Sequence, residues 1–306
     1  MSNNGKVVVI GAGFVGATSA YAMFIDGAPS EIVLLDVNKE KAEGEAMDLE
    51  QGMQFVPGTK LSYGSDYALV RNAEVVVITA GARTKPGQTR LELISVNAQI
   101  LKTIIQNIKK YNKDCCLLIV TNPVDVLTYL AVRYSGFSYD KVFGSGTTLD
   151  SARLRYFLGQ KLRVHPSSIH AYMLGEHGDS EFPAWSSARV GGVPVLEMEG
   201  LDRAILNRLA DNTRRAAYEI VARKGATYYA IGLVVAQLVR AILDDSNTIF
   251  PLSVYLKKYH GVSDVTLSVP VVLNRSGAHI RFQLPLSQQE KKQFRSCAKI
   301  VRSLQS

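Results

Sequence analysis

Cysteine is scarce in this chain. Its 306 residues hold three, Cys115, Cys116 and Cys297, an odd number that includes an adjacent pair, and adjacent cysteines rarely bridge. With no CxxC and no His/Cys ligand spacing, neither a disulfide framework nor a zinc site is expected. Asp244-Asp245 reads as a helix end, so no metal is expected there either. Long apolar runs are also missing. Stretches such as Val75–Ile78 and Cys116–Val120 are strand-sized, far short of the roughly 18 residues of a membrane span. Met1-Ser2-Asn3-Asn4-Gly5 leads straight into a strand without the pattern of a signal peptide. A soluble, cytoplasmic chain is the expectation. Clustered charge is the third absence. Lys and Arg total 35 against 27 Asp and Glu, a net charge of +8, yet no basic run reaches five, and Arg214-Arg215 and Lys257-Lys258 stand as isolated pairs. Without a basic face or aromatic platforms, a nucleic-acid partner is not expected. The surplus positive charge suits small anionic substrates better.

What is present is apolar mass. A composition of 47% hydrophobic and 20% charged residues excludes a disordered chain, and the length fits two domains or one large α/β unit. The first half alternates strand-like and helix-like segments. Lys6–Ile10, Glu31–Asp36, Lys60–Tyr63, Glu74–Thr79 and Cys116–Val120 read as strands. Helices are expected from the first glycine turn to about Phe24, from the Asn38 cap through Ala42, Ala46 and Leu49, and over Glu92–Tyr111. Strands apolar on both faces and separated by helices predict a doubly wound parallel α/β sheet covered on both sides, a Rossmann-type fold. Beyond Thr121 the pattern changes. Helices are expected at Asp150–Leu162, Leu201–Lys224 and Thr227–Leu243, and a strand at Ile169–Met173. Val265–Asn274 and His279–Leu284 read as an antiparallel pair around Arg275-Ser276-Gly277. A final helix follows the capping box Ser287-Gln288-Gln289-Glu290, with Phe294, Ala298, Val301 and Leu304 as its buried stripe. The expected division is a nucleotide domain over 1–145 and a C-terminal α+β domain over 146–306.

Gly11-Ala12-Gly13-Phe14-Val15-Gly16 matches GxGxxG directly after a strand and at the start of a helix. The first glycine permits the tight turn, the second lets backbone approach a pyrophosphate, and the third allows close helix–strand packing. The helix N-terminus favours the negative charge. Asp36 ends the next strand 20 residues after Gly16. A carboxylate there accepts ribose hydroxyls and repels a 2′-phosphate, so NAD is expected rather than NADP.

Three further segments carry polar groups that mean little singly. Gly175-Glu176-His177-Gly178-Asp179-Ser180 places a histidine between a strand and a glycine. Leu149-Asp150-Ser151-Ala152-Arg153 puts an acid and a base three apart on one helix face. Gly81-Ala82-Arg83-Thr84-Lys85-Pro86-Gly87-Gln88-Thr89-Arg90 reads as a mobile loop feeding a helix.

With the dinucleotide turn, and with Thr121-Asn122-Pro123-Val124-Asp125 and Gly225-Ala226-Thr227-Tyr228-Tyr229, these segments resemble the lactate/malate dehydrogenase family over essentially the whole chain. The resemblance implies that His177 exchanges a proton with the substrate hydroxyl and that Asp150 orients its imidazole. Arg153 would fork onto the substrate carboxylate. Arg90 would polarise the carbonyl as the loop closes, and Asn122 would hydrogen-bond the reacting oxygen. Thr84 and Thr227 would line the substrate pocket, and Val15, Lys41, Gly81, Ala82, Asn122 and Ser145 would complete the cofactor contacts. A homotetramer is implied as well. Of the 2-hydroxy acids, lactate with pyruvate is expected on the strength of Gly144-Ser145-Gly146-Thr147 and Thr227. Malate, or broad specificity, stays open because Thr84 and Gln88 depart from the lactate pattern. Family members that respond to fructose 1,6-bisphosphate carry an arginine and a histidine where this chain has Arg155 and His170, so that activator is a candidate partner. The alternative there is a surface arginine and a structural histidine. A non-catalytic nucleotide sensor would need the glycine turn and Asp36 without the other polar groups.

Overall fold

The computed structural model describes residues 5–82 and 89–305; the Arg90 side chain also lies outside the described residues. In chain order the first half forms β1 (Lys6–Ile10), α1 (Phe14–Asp26), β2 (Glu31–Leu35), α2 (Lys39–Gln51), β3 (Lys60–Gly64), β4 (Ala73–Ile78), α3 (Arg90–Tyr111), β5 (Cys116–Ile119), α4 (Val124–Ser135) and β6 (Val142–Gly144). The strands pair in parallel in the order β6-β5-β4-β1-β2-β3. Alternate residues of β1 face different layers. Val7 and Val9 pack with Ala20, Met23 and Phe24 of α1, whereas Val8 and Ile10 join Ile104, Ile105 and Ile108 of α3. Each fully buried aliphatic side chain contributes about 1.5–3 kcal/mol, which is why these strands carry no polar face. The strand order reverses between β1 and β4. A crevice therefore opens at their carboxyl ends, where such sheets bind ligands.

The second half continues with α5 (Thr148–Leu162), β7 (Ile169–His170), β8 (Met173–Leu174), β9 (Phe182–Pro183), β10 (Arg189–Val190), β11 (Val193–Pro194), α6 (Arg203–Lys224), α7 (Tyr229–Leu243), β12 (Thr248–Leu256), β13 (Val265–Asn274), β14 (Gly277–His279) and α8 (Gln288–Ser303). Three expectations change. The single strand read at Ile169–Met173 is two, because the backbone between them bonds elsewhere. The Ala171 carbonyl accepts from Arg155 and the Tyr172 carbonyl from the Ala184 N–H. Hence β7 joins β10 and β11, while β8 pairs with β9. The strand expected to reach Leu284 stops at His279, and the Leu284 N–H goes to the Tyr259 hydroxyl. Finally, α4, β6 and β12 were not read from the sequence, and β12 matters most. It pairs antiparallel with β13 along its length and meets β6 at Ser253–Gly144. The two halves thus share one nine-stranded sheet, β14-β13-β12-β6-β5-β4-β1-β2-β3. α7 lies back on α1, where Arg240 Nε reaches both carboxylate oxygens of Asp26 at 3.0 and 2.8 Å. Among the described residues, no helix is long and apolar enough to cross a membrane.

Candidate active site

The turn between β1 and α1 is held by its neighbours. Gly11 has φ +105°, a left-handed conformation that glycine adopts without strain. The Thr79 hydroxyl lies 2.9 Å from its carbonyl. A Cβ on Gly16 would sit 1.8 Å from that same carbonyl oxygen, so the third glycine is a packing requirement. Gly13 differs. A Cβ there would meet nothing of the protein within 4 Å, and α1 has no side-chain cap at Gly13. The bare backbone at this helix start leaves room for a pyrophosphate, the group the motif predicts. Asp36 accepts the Ala12 N–H at 2.6 Å and the Asn38 N–H at 2.9 Å, which aims its carboxylate along the edge of the turn. These residues fit a dinucleotide. Gly13→Ala is therefore expected to leave the melting temperature within about 2 °C of wild type while weakening NADH binding at least about tenfold. Gly16→Ala is expected to lower stability by about 1–3 kcal/mol through overpacking. Thermal melts with NADH titration by fluorescence separate the two.

Gly11, Gly13, Asp36, Lys41, Gly81 and Ala82 line one cleft of about 710 Å³, joined by Tyr67 and Ile100, which sequence reasoning missed. Val15, Asn122, Ser145 and Thr227 line a second pocket of about 140 Å³ that also contains Arg153 and His177. A third, of about 490 Å³, is walled by Asn122, Asp150, Arg153, His177, Glu181 and Arg214. Asn122, Arg153 and His177 belong to both of the last two, so a ring in one faces a small acid in the other. Asn97 is a further residue the sequence did not reveal. It is buried on α3, accepts the Ala82 N–H at 2.7 Å and donates to the Asn122 carbonyl at 3.0 Å. A polar residue on an otherwise apolar helix stripe was the available signal.

The polar centre is built on α5 and on the loop after β8. The Thr147 hydroxyl donates to the Met173 carbonyl at 2.6 Å, and its N–H to the Ser268 hydroxyl at 3.0 Å, pinning the start of α5 to β8 and β13. Asp150 then falls in the first helical turn, where the helix dipole favours a carboxylate. Its Oδ2 lies 2.6 Å from His177 Nδ1, and its Oδ1 accepts from Arg153 at 2.9 Å. Gly175, at φ +94°, turns the chain so that His177 faces α5. A Cβ at Gly175 would lie 2.6 Å from Cys297 Sγ. Asp125 fixes the histidine from behind by accepting the His177 N–H at 2.7 Å and the Ser253 hydroxyl at 2.6 Å.

Charge follows from this packing. Burial pushes Asp150 upward, but His177 and Arg153 outweigh it and hold the carboxyl below its ordinary range. Burial pulls His177 down, and Asp150 more than reverses this, raising the imidazole from 6.5 to about 9. Asp125 is pushed up to about 6 by burial despite its two hydrogen bonds. The arrangement is an oriented imidazole able to give or take a proton, beside a guanidinium able to bind a carboxylate.

Thr84 and its loop neighbours Arg83, Lys85 and Gln88 lie outside the described residues, as does the Arg90 side chain. Arg155 donates to the Ala171 carbonyl at 2.9 Å and lies over the Tyr172 ring, while His170, next along the chain, is exposed.

Residues 5–144 match the family described as lactate/malate dehydrogenase, NAD binding domain, and residues 147–304 match its alpha/beta C-terminal domain. The chain belongs to the lactate/malate dehydrogenase family. Its first half is the family's NAD-binding domain, so NAD is its cofactor. The chain is 44% identical to an L-lactate dehydrogenase of Thermoanaerobacter sp. (strain X514) over 98% of its own length and 97% of the relative's. It is likewise 44% identical to an L-lactate dehydrogenase of Acetivibrio thermocellus over 99% and 98%. A lactate dehydrogenase from a Medee basin deep-sea metagenome library superposes with a TM-score of 0.95 at 44% identity, covering 99% of this chain and 98% of that one. The minor L-lactate dehydrogenase from Enterococcus mundtii, in its ligands-bound form, gives 0.96 at 41% identity over the same shares.

Proposed function

We propose that this family member interconverts pyruvate and L-lactate. The observation that carries the reading is the Asp150–His177 pair with Arg153 on the wall shared by the two inner pockets, in a chain whose named relatives are L-lactate dehydrogenases. Arg153 binds the pyruvate carboxylate and Asn122 donates to its carbonyl oxygen. The nicotinamide cofactor, when bound, would supply the hydride in its reduced form for pyruvate reduction and accept it in its oxidised form for lactate oxidation. His177 gives its proton to the carbonyl oxygen as carbon 2 is reduced, and takes it back from the lactate hydroxyl in the reverse direction. Asp150 keeps Nδ1 protonated, so the other ring nitrogen faces the substrate. Arg90, at the start of α3, is read as polarising the carbonyl, and Thr227 lines the inner pocket with Asn122, Arg153 and His177.

Pyruvate is expected to exceed oxaloacetate in kcat/KM with NADH, and a preference for oxaloacetate would overturn the assignment. Thr84 is read as the specificity position because it is short and neutral. Thr84→Arg is expected to raise oxaloacetate turnover at pyruvate's expense by pairing the second carboxylate. Unchanged relative kcat/KM in that variant removes Thr84 from the account.

The same reading takes the enzyme as cytoplasmic, with residues 1–145 and 146–306 as its two domains, and as a homotetramer. Exposed Tyr21, Ile25, Phe55, Tyr229 and Leu233 on α1, the turn after α2 and α7 support an interface. Arg155 and His170 are taken as a phosphate site for fructose 1,6-bisphosphate. A fall in pyruvate KM on adding the bisphosphate, lost in Arg155→Gln, is the expected result; no change in KM or assembly state removes activation.

A further inference from the structure

Glu181 stands four residues beyond His177, immediately before β9, and is only 4% exposed. One carboxylate oxygen of Glu181, one of Asp150 and a ring nitrogen of His177 all lie within 4.8 Å of one another. Asp150 has committed one oxygen to His177 and the other to Arg153. Glu181 Oε2 is buried and accepts no hydrogen bond from any donor among the described residues. Among the described residues, the charged groups that share its cavity wall are Asp150 and Arg153 of α5, His177 and Asp179 of its own loop and Arg214 of α6; Asp125 faces His177 from behind, and the buried Glu176 accepts from the Ser180 hydroxyl. Arg214 spends its bonds on the Glu181 carbonyl at 3.2 Å and on Asp211, not on the Glu181 carboxyl.

Two adjacent buried carboxyls cannot both ionise cheaply. Asp150 holds the two cationic partners, so Glu181 is the one that keeps a proton. Burial first, and then the charge of Asp150, push it well above the usual carboxylate range. A neutral carboxyl has one O–H to donate, and the Asp150 carboxylate is the acceptor beside it.

We propose that Glu181 is a positioning residue for the acid/base pair, standing as a neutral acid whose O–H serves Asp150. Asp150 is then gripped from three sides, by Arg153, His177 and Glu181, which fixes the imidazole it orients. The charge balance follows. With Glu181 neutral, the group Asp150⁻, Arg153⁺ and His177⁺ offers one net positive charge to a substrate carboxylate. With Glu181 ionised it offers none.

This inference rests on the acid/base reading of His177, and two variants test it separately from that reading. Glu181→Gln keeps a neutral donor toward Asp150 but cannot ionise; Glu181→Ala removes the donor. In the unliganded protein at neutral pH, difference infrared against Glu181→Gln is expected to show a carboxylic-acid carbonyl band from Glu181. An imidazole NMR titration is expected to place the His177 midpoint alike in wild type and Glu181→Gln, and displaced in Glu181→Ala. In turnover with pyruvate, Glu181→Gln is expected to stay within about threefold of wild type near neutrality, and Glu181→Ala to lose roughly tenfold or more in kcat/KM, the scale of a lost hydrogen bond to a charged group. At alkaline pH the pyruvate KM of wild type is expected to rise more steeply than that of Glu181→Gln. Absence of the infrared band overturns the proposal, as does equal loss in both variants with an unmoved His177 midpoint, or no change in either. If wild type turns over no 2-oxo acid, the functional reading fails, while the infrared band and the imidazole titration still decide the state of Glu181.

Discussion

Replacing His177 with Gln is expected to lower kcat/KM for pyruvate reduction by about 10²–10⁴, the usual contribution of a positioned general acid. NADH affinity should change little, because His177 is not among the residues lining the cleft of the glycine turn and Asp36. Asp150→Asn should fall in the same range for a different reason. The amide keeps the shape, but it removes the charge that raises the imidazole and lets the ring adopt the wrong tautomer. In both variants the larger loss belongs in kcat; KM for pyruvate stays close to wild type in Asp150→Asn, where Arg153 still holds the carboxylate, and rises in His177→Gln, which also takes one positive charge from the site. A loss confined to KM would move His177 from proton transfer to substrate binding. The same raised imidazole carries a stability consequence. A group protonated more tightly when folded stabilises the protein fully below its unfolded value of 6.5, and that contribution is lost as pH rises through about 9. Urea midpoints of wild type should therefore decline across that window more steeply than those of His177→Gln.

Asp125→Ala carries the second large effect. The side chain is buried and accepts from the His177 N–H and the Ser253 hydroxyl. Removing it leaves the buried Ser253 hydroxyl and the part-buried His177 N–H without their acceptor, at a cost of about 2–4 kcal/mol in total. It also frees the His177 backbone, so activity per folded molecule should drop as well. Asp125→Asn keeps the shape and the amide oxygen and should lose less of both. Chemical denaturation with kcat measured on the folded fraction reads the two losses apart. A stable but inactive Asp125→Ala, or a destabilised one with normal kcat, would break the link between this support and the acid/base pair.

Much of this was legible in the chain, for a physical reason. Strands buried on both faces, such as Lys6–Ile10 and Cys116–Ile119, have no choice but to be apolar, and the helix after β2 carries its own cap in Asn38. Local chemistry therefore announces the doubly wound half. The glycine turn and Asp36 were legible because each residue answers a local demand of backbone or charge. Elsewhere the information is not local. β12 contains Pro251, which argues against a strand, yet Pro251 is buried in the nine-stranded sheet, paired with Pro270 of β13. His170 and Met173 sit in one apolar run but belong to different sheets, because Arg155 and Ala184 claim the backbone between them. Within the site, His177, Asp150 and Arg153 were found by resemblance. Their supports, Asp125, Asn97 and Glu181, were not given roles, since each acts through a partner far along the chain. Asp125 meets Ser253, 128 residues away, and no spacing rule reaches that far.

Whether His177 is the proton donor and acceptor is decided by one pair of pH profiles. kcat/KM for pyruvate reduction needs the protonated imidazole, so it should be level below neutrality and fall as pH rises through about 9. kcat/KM for lactate oxidation needs the neutral imidazole and should climb through the same region. Opposed limbs sharing one midpoint, both abolished in His177→Gln, are the predicted result. Profiles that move in the same direction, or a midpoint that survives the substitution, would contradict it.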